Sequence, residues 1–124
     1  MTQAPIIIWH NKGCSTSRKA LEIIEQQGLQ VIIRDYIKDA PSPTEIKDVL
    51  KKMNAEAQSI LRKKDKVFQE LFATKSMTES EWIAAMSKHP SIIERPIVLV
   101  GKNAFLGRPL ATFEEQLNSA LQKA

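Results

Sequence analysis

The sequence predicts a mixed α/β fold: a small four-stranded sheet with a helical segment inserted between its second and third strands. Three observations carry this. Two short apolar runs, Ile6-Ile7-Ile8-Trp9 and Val31-Ile32-Ile33, bracket an amphipathic helix pattern, which makes a βαβ unit. The stretch from about residue 55 to 89 keeps helical spacings throughout. Strand character then returns twice in quick succession before a last helix.

Each element has its own local reason. Ile6 to Trp9 is uninterrupted apolar and reads as a buried strand. Residues 15 to 27 place Ala20, Leu21, Ile23 and Ile24 on one side of a helix, and Gly28 closes it. Val31-Ile32-Ile33 supplies the second strand, parallel to the first through a right-handed crossover. Ser42-Pro43-Thr44-Glu45 is a capping box with proline at the first helical position, followed by a stripe of Ile46, Val49, Leu50 and Met53. In the insertion, Ile60, Leu61, Val67, Phe68, Leu71 and Phe72 recur at helical spacing. Thr78-Glu79-Ser80-Glu81 caps a further helix bearing Trp82, Ile83 and Met86, with His89 at its end. Ile97-Val98-Leu99-Val100 and Ala104-Phe105-Leu106 form a hairpin turning at Gly101-Lys102-Asn103. Phe113, Leu117 and Leu121 mark the last helix. One domain over residues 1–124 is expected, with a core of about 5–54 and 94–122 and the helical insertion over about 55–93.

Composition narrows the function classes. The chain has 124 residues, 43% hydrophobic and 26% charged, as in ordinary globular proteins. No apolar run approaches the roughly 20 residues that cross a bilayer, and the N-terminus lacks a basic segment followed by an apolar one, so no membrane association is expected. A single cysteine forms no internal disulfide, and a cytoplasmic monomer is expected. The net charge of +4 fits a nucleic-acid partner poorly, because the densest basic run, Arg62-Lys63-Lys64-Asp65-Lys66, is interrupted by an acid and holds no aromatic residue. The excess charge suits a small anionic substrate instead. One cysteine and two widely separated histidines compose no metal-ligand set, and no phosphate-cradling glycine loop is present.

The cysteine is the most informative residue. A lone cysteine is commonly a small buried hydrophobe, but Cys14 lies in His10-Asn11-Lys12-Gly13-Cys14-Ser15-Thr16-Ser17-Arg18, at a strand-to-helix junction. The first turn of a helix directs unpaired N–H groups and the positive end of the dipole at the sulfur, favouring the thiolate. Lys12, Arg18 and a protonated His10 add positive charge, the three hydroxyls offer donors, and Gly13 permits a close backbone approach.

The element order resembles the thioredoxin-like architecture, with its working cysteine after the first strand at the head of the first helix. Such folds carry a cis-proline before the third strand, and Pro96, preceded by Arg95, stands there. Four segments make the resemblance specific: His10-Asn11-x-x-Cys14-x-x-Ser17-Arg18, Leu61-Arg62-Lys63, Glu94-Arg95-Pro96-Ile97-Val98 and Gly107-Arg108-Pro109. In order and spacing they are similar to the signatures of the glutaredoxin-coupled arsenate reductases, the ArsC family, over residues 5 to 118. One departure is Lys12, where that family commonly has proline.

The resemblance implies a mechanism. A Cys14 thiolate attacks arsenate or a similar oxyanion held by Arg62, Arg95 and Arg108, whose planar charged forks suit a tetrahedral anion. His10, Asn11, Ser17 and Arg18 tune the thiolate, His10 and Ser17 by charge or by hydrogen bonding through the cysteine loop, and Gly13 and Pro96 shape its surroundings. No cofactor is bound; glutathione is the co-substrate and glutaredoxin the partner, because one thiol cannot supply the two electrons that reduce As(V). Two alternatives stand beside this reading. A related oxidoreductase could act on glutathionylated or other thiol substrates, since a glutathione carboxylate is also an anion. A Spx-type regulator would bind RNA polymerase, but uses a Cys-x-x-Cys switch, and Ser17 occupies the second position here.

Overall fold

The apolar run at the start of the chain forms β1, Ile6–His10, and four of its five side chains are buried. The structure is a computed structural model that describes residues 5–123, and it divides into two compact units. The first joins the residues up to Tyr36 with those from Arg95 onward; the second is Ile37–Glu94.

In the first unit β1 is followed by α1 (Ser15–Gln26) and β2 (Val31–Asp35), and the later residues add β3 (Ile97–Val100), β4 (Asn103–Leu106) and α5 (Phe113–Lys123). Strand order is β2-β1-β3-β4, with β1 parallel to β2 and antiparallel to β3. Alternation along the strands turns Ile6, Ile8, Val98 and Val100 to one face, where Ala20 and Ile24 of α1 and Phe113, Leu117 and Ala120 of α5 close a core. Burial of these side chains drives association of sheet and helices. β2 runs two residues past the expected Ile33, because Arg34 and Asp35 pair with Trp9 and His10. As an edge strand it leaves Ile32 and Ile33 exposed.

The hairpin corrects the expected three-residue turn. Val100 pairs with Asn103, so the turn is Gly101-Lys102 alone. Gly101 takes φ 59° while Lys102 does not have a positive φ, the pattern of a type II′ turn, whose twist matches the strands. The Gly107 N–H donates to the Pro96 carbonyl at 2.8 Å, extending the ladder one step beyond Ile97↔Leu106. The Arg95–Pro96 bond is cis, as expected for this fold, and Arg108–Pro109 is cis as well, which the sequence did not signal.

The second unit is helical but not continuously so over 55–89. α2 (Pro43–Met53) starts at the capping box of Ser42 and Glu45 and buries Ile46, Val49 and Leu50, packing on a later helix, Glu79–Lys88, of the same unit. A 3-10 turn, Ala57–Ile60, ends at Leu61, which leaves helical geometry to bridge Ile93. Two 2.7 Å backbone bonds, Arg62 N–H to Ile92 and Glu94 N–H to Ile60, lock this bridge. The chain restarts as α3 (Lys66–Leu71) because the Asp65 carboxylate accepts from the Val67 and Phe68 N–H groups, an N-cap where an unbroken helix was expected. Leu71, the last residue of the short α3, is exposed. After the Thr78 capping box comes α4 (Glu79–Lys88), with His89 as its C-cap, and Phe68, Phe72, Trp82 and His89 form a ring cluster. Among the described residues no helix is long and apolar enough to cross a membrane.

Candidate active site

The segment after β1 is tied by its own side chains into one shape. The Asn11 carbonyl accepts the Cys14 N–H at 3.0 Å and its Oδ1 accepts the Gly13 N–H at 2.9 Å, a tight turn that brings Cys14 to the N-cap of α1. Ser17, fully buried on the first turn of α1, accepts the Asn11 N–H at 3.1 Å and lies 2.7 Å from His10 Nδ1. Arg18 donates to the Lys12 carbonyl at 2.8 Å. The Ser17 hydroxyl and the Arg18 side chain therefore hold the backbone of the loop, and neither side chain is spent on the sulfur.

His10 acts in the same way. Burial pushes its pKa down, opposed by Asp35 and Glu25 and reinforced by Arg18, so the ring is neutral at pH 7. A neutral ring with its proton on Nε2 accepts the Ser17 hydroxyl proton at Nδ1, and with its proton on Nδ1 donates to Ser17 Oγ; either tautomer leaves that oxygen a lone pair for the Asn11 N–H. The protonated His10 considered from sequence gives way to a buried neutral imidazole that braces the loop.

Cys14 is half-buried, and two influences compete over its proton. Burial raises the thiol pKa. The Ser17 and Thr16 N–H groups, which point toward the sulfur short of a capping bond, and the Arg95 guanidinium overcome this and bring it down to about 7. About half of the thiol is then ionised at neutral pH. The rate of Cys14 alkylation by iodoacetamide is therefore expected to rise with pH through a midpoint near 7; a midpoint at or above 8.5, the ordinary value, would place the sulfur outside this field. The folded-state value lies below that of the unfolded chain, so the ionised thiol contributes stability that is complete above about 8.5 and is lost as pH falls through about 7.

The hairpin register brings two arginines to the sulfur. Pairing runs Ile97↔Leu106 and then Pro96 to Gly107, so the next residues outward, Arg95 and Arg108, stand opposite each other. Arg108 Nε donates to the Arg95 carbonyl at 2.6 Å, and its Nη2 lies 3.4 Å from Cys14 Sγ. Arg95 is partly buried; burial weakens its charge, but hydrogen bonds and charge interactions with Cys14 and Tyr36 raise its pKa, so it stays cationic. Sulfur and two guanidinium forks thus share one spot at the ends of β1, β3 and β4. Such a spot attracts an anion and presents a nucleophile to it.

Gly107 holds this register. A Cβ there would lie 2.8 Å from the Phe113 ring and 2.9 Å from Pro96 Cγ, and Phe113 is fully buried. Gly107→Ala is expected to cost about 1–3 kcal/mol by overpacking, read as a lower thermal midpoint; an unchanged midpoint would mean the ring and the proline yield freely.

Arg62 lies in the second unit, beside the bridge, with Nη1 3.7 Å from Glu94 Oε1. Sequence reasoning did not single out Tyr36 or Asp35. Asp35 pairs with His10 in the β1–β2 ladder and acts on its charge; Tyr36, the one tyrosine, is fully buried and contacts Arg95. The available signal was position: Asp35 ends β2 and Tyr36 follows it, at the end where β1 delivers Cys14.

Residues 9–116 match the sequence model of the ArsC family, a span that includes every site residue above. The chain belongs to the ArsC family. Among ArsC relatives, an arsenate reductase of Neisseria meningitidis is 36% identical over 114 residues, covering 90% of this chain and 97% of that protein. One from Haemophilus influenzae is 36% identical over 90% of this chain and 98% of its own. The solved arsenate reductase of Vibrio cholerae superposes with a TM-score of 0.85 at 33% identity, covering 92% of this chain and 98% of that one. The fold is the thioredoxin-like fold of the ArsC structures.

Proposed function

We propose that this ArsC protein is an arsenate reductase in which Cys14 is the nucleophile and Arg95 and Arg108 hold the oxyanion. The observation that carries the reading is the convergence of the half-buried Cys14 thiol with two arginine side chains, one of them 3.4 Å from the sulfur. The relatives named arsenate reductase support it. The family pattern adds Arg62 as a further oxyanion ligand.

In this mechanism the thiolate attacks arsenic, one arsenate oxygen leaves as water after protonation, and a sulfur–arsenic(V) bond forms. Glutathione then attacks: Cys14 and glutathione together give up two electrons and become a mixed disulfide, and arsenic leaves as arsenite. Glutaredoxin takes the glutathione from Cys14 and restores the thiol. An external thiol is required because the chain has one cysteine and no second sulfur to close an internal disulfide.

The test is a coupled assay with arsenate, glutathione, glutaredoxin, glutathione reductase and NADPH. NADPH consumption that depends on both arsenate and glutaredoxin is expected. Activity supported by thioredoxin alone would overturn the electron route, and no arsenate-dependent turnover with any thiol donor would overturn the substrate.

A further inference from the structure

We propose that Tyr36 is the positioning residue that aims Arg95 at Cys14. This deepens the reading of Cys14 as the working thiol and rests on it. Three strands bring the participants to one edge of the sheet. β1 ends at His10 and leads to Cys14, β2 ends at Asp35 with Tyr36 next, and β3 begins at Ile97 just after Arg95. Trp9 is flanked in the ladders by Arg34 and Ile97, so Tyr36 and Arg95 approach the end of β1 from opposite sides.

Tyr36 is built as a rigid post. It has no exposed surface, and its ring stacks on Trp9 at 6.5 Å between centroids. A buried phenol needs a partner for its oxygen, and the Arg95 side chain provides one. Arginine, by contrast, is long and rotamer-rich, and must be held from outside to keep one direction. Arg95 Nε is buried and makes no hydrogen bond among the described residues, so its terminal nitrogens do the holding, shared between Tyr36 and Cys14. Once Cys14 has bonded arsenic it no longer offers a thiolate, and Tyr36 keeps the guanidinium in place on the oxygens of the arsenic now held at the sulfur. The charged and titratable groups around the sulfur are Arg95 and Arg108, with His10 and Arg18 bracing its loop. Tyr36 acts on the thiol through the first of these.

The test is Tyr36→Phe, which keeps the ring and its stacking and removes the oxygen. The pH midpoint of Cys14 alkylation is expected to rise by roughly half a unit, a fraction of the effect of a neighbouring guanidinium. In an Arg95→Ala background the same change is expected to move the midpoint no further. An unchanged midpoint in Tyr36→Phe, or an equal rise with and without Arg95, would overturn the proposal. Should the variant fail to fold, the wild-type chain supplies a second measurement. It has one tyrosine and one cysteine, so a Cζ-labelled tyrosine gives a single carbon resonance. That resonance is expected to shift with the Cys14 titration, and to lose that shift in Cys14→Ser; no response to the thiol would overturn the link. Neither readout requires arsenate, so a failure here is distinct from a failure of the proposed substrate.

Discussion

Cys14→Ser is expected to abolish arsenate-dependent NADPH consumption, a loss on the order of 10⁴-fold or more. At pH 7 a thiol with a pKa of about 7 is half thiolate, whereas a serine hydroxyl in the same field is almost wholly protonated and is a far weaker nucleophile. Nor can a hydroxyl share electrons with glutathione as a mixed disulfide, so the variant fails at both the attack and the reduction. No other cysteine can substitute. The scaffold should survive, because the loop is held by Asn11, Ser17, His10 and Arg18 and not by the sulfur. A folded Cys14→Ser protein retaining more than about a hundredth of the turnover would remove Cys14 from the mechanism.

The strands and their order were legible because strand periodicity and short connections leave few arrangements for a βαβ unit followed by a hairpin. The position of Cys14 was legible for the same reason: a residue between a buried strand and the helix that directly follows it sits at the helix N-terminus. The convergence of Arg95 with Arg108 depended on a single residue of register. A turn of three residues, Gly101-Lys102-Asn103, would offset the two arginines, and in a pleated strand one step reverses the face. The two-residue turn makes them partners. For His10 and Ser17 the sequence left two routes open, charge or hydrogen bonding through the cysteine loop, and Arg18 read as a nearby cation; only distances decide between serving the sulfur and serving the backbone. Their side chains brace the loop, while the Ser17 N–H is turned to the sulfur. In the insertion, helical spacing concealed the break at Leu61, because one bridging residue between two short helices keeps its apolar side chain buried either way.

Arg95→Lys keeps the positive charge and is expected to lower kcat/KM for arsenate by roughly 10- to 150-fold, the equivalent of losing about 1.5–3 kcal/mol of charge-assisted hydrogen bonding. The wild-type guanidinium contacts Cys14 and Tyr36 together, which its flat fork allows. An ammonium is a compact point charge on a flexible stem, more strongly hydrated, and cannot span the same two partners while also holding two oxygens of an anion. The loss should appear in the free enzyme too, as a Cys14 pKa above its wild-type value of about 7, because the hydrogen bond from the Arg95 guanidinium is part of what depresses it. Arg108→Lys tests a different contact, since Arg108 Nε is bonded to the Arg95 carbonyl at 2.6 Å and an ammonium has no equivalent of that inner nitrogen. Arg95→Lys with unchanged arsenate kinetics and an unchanged thiol midpoint would show that position 95 requires charge alone. A raised thiol midpoint with unchanged kcat/KM at saturating pH would assign Arg95 to the nucleophile and leave the oxyanion to Arg108.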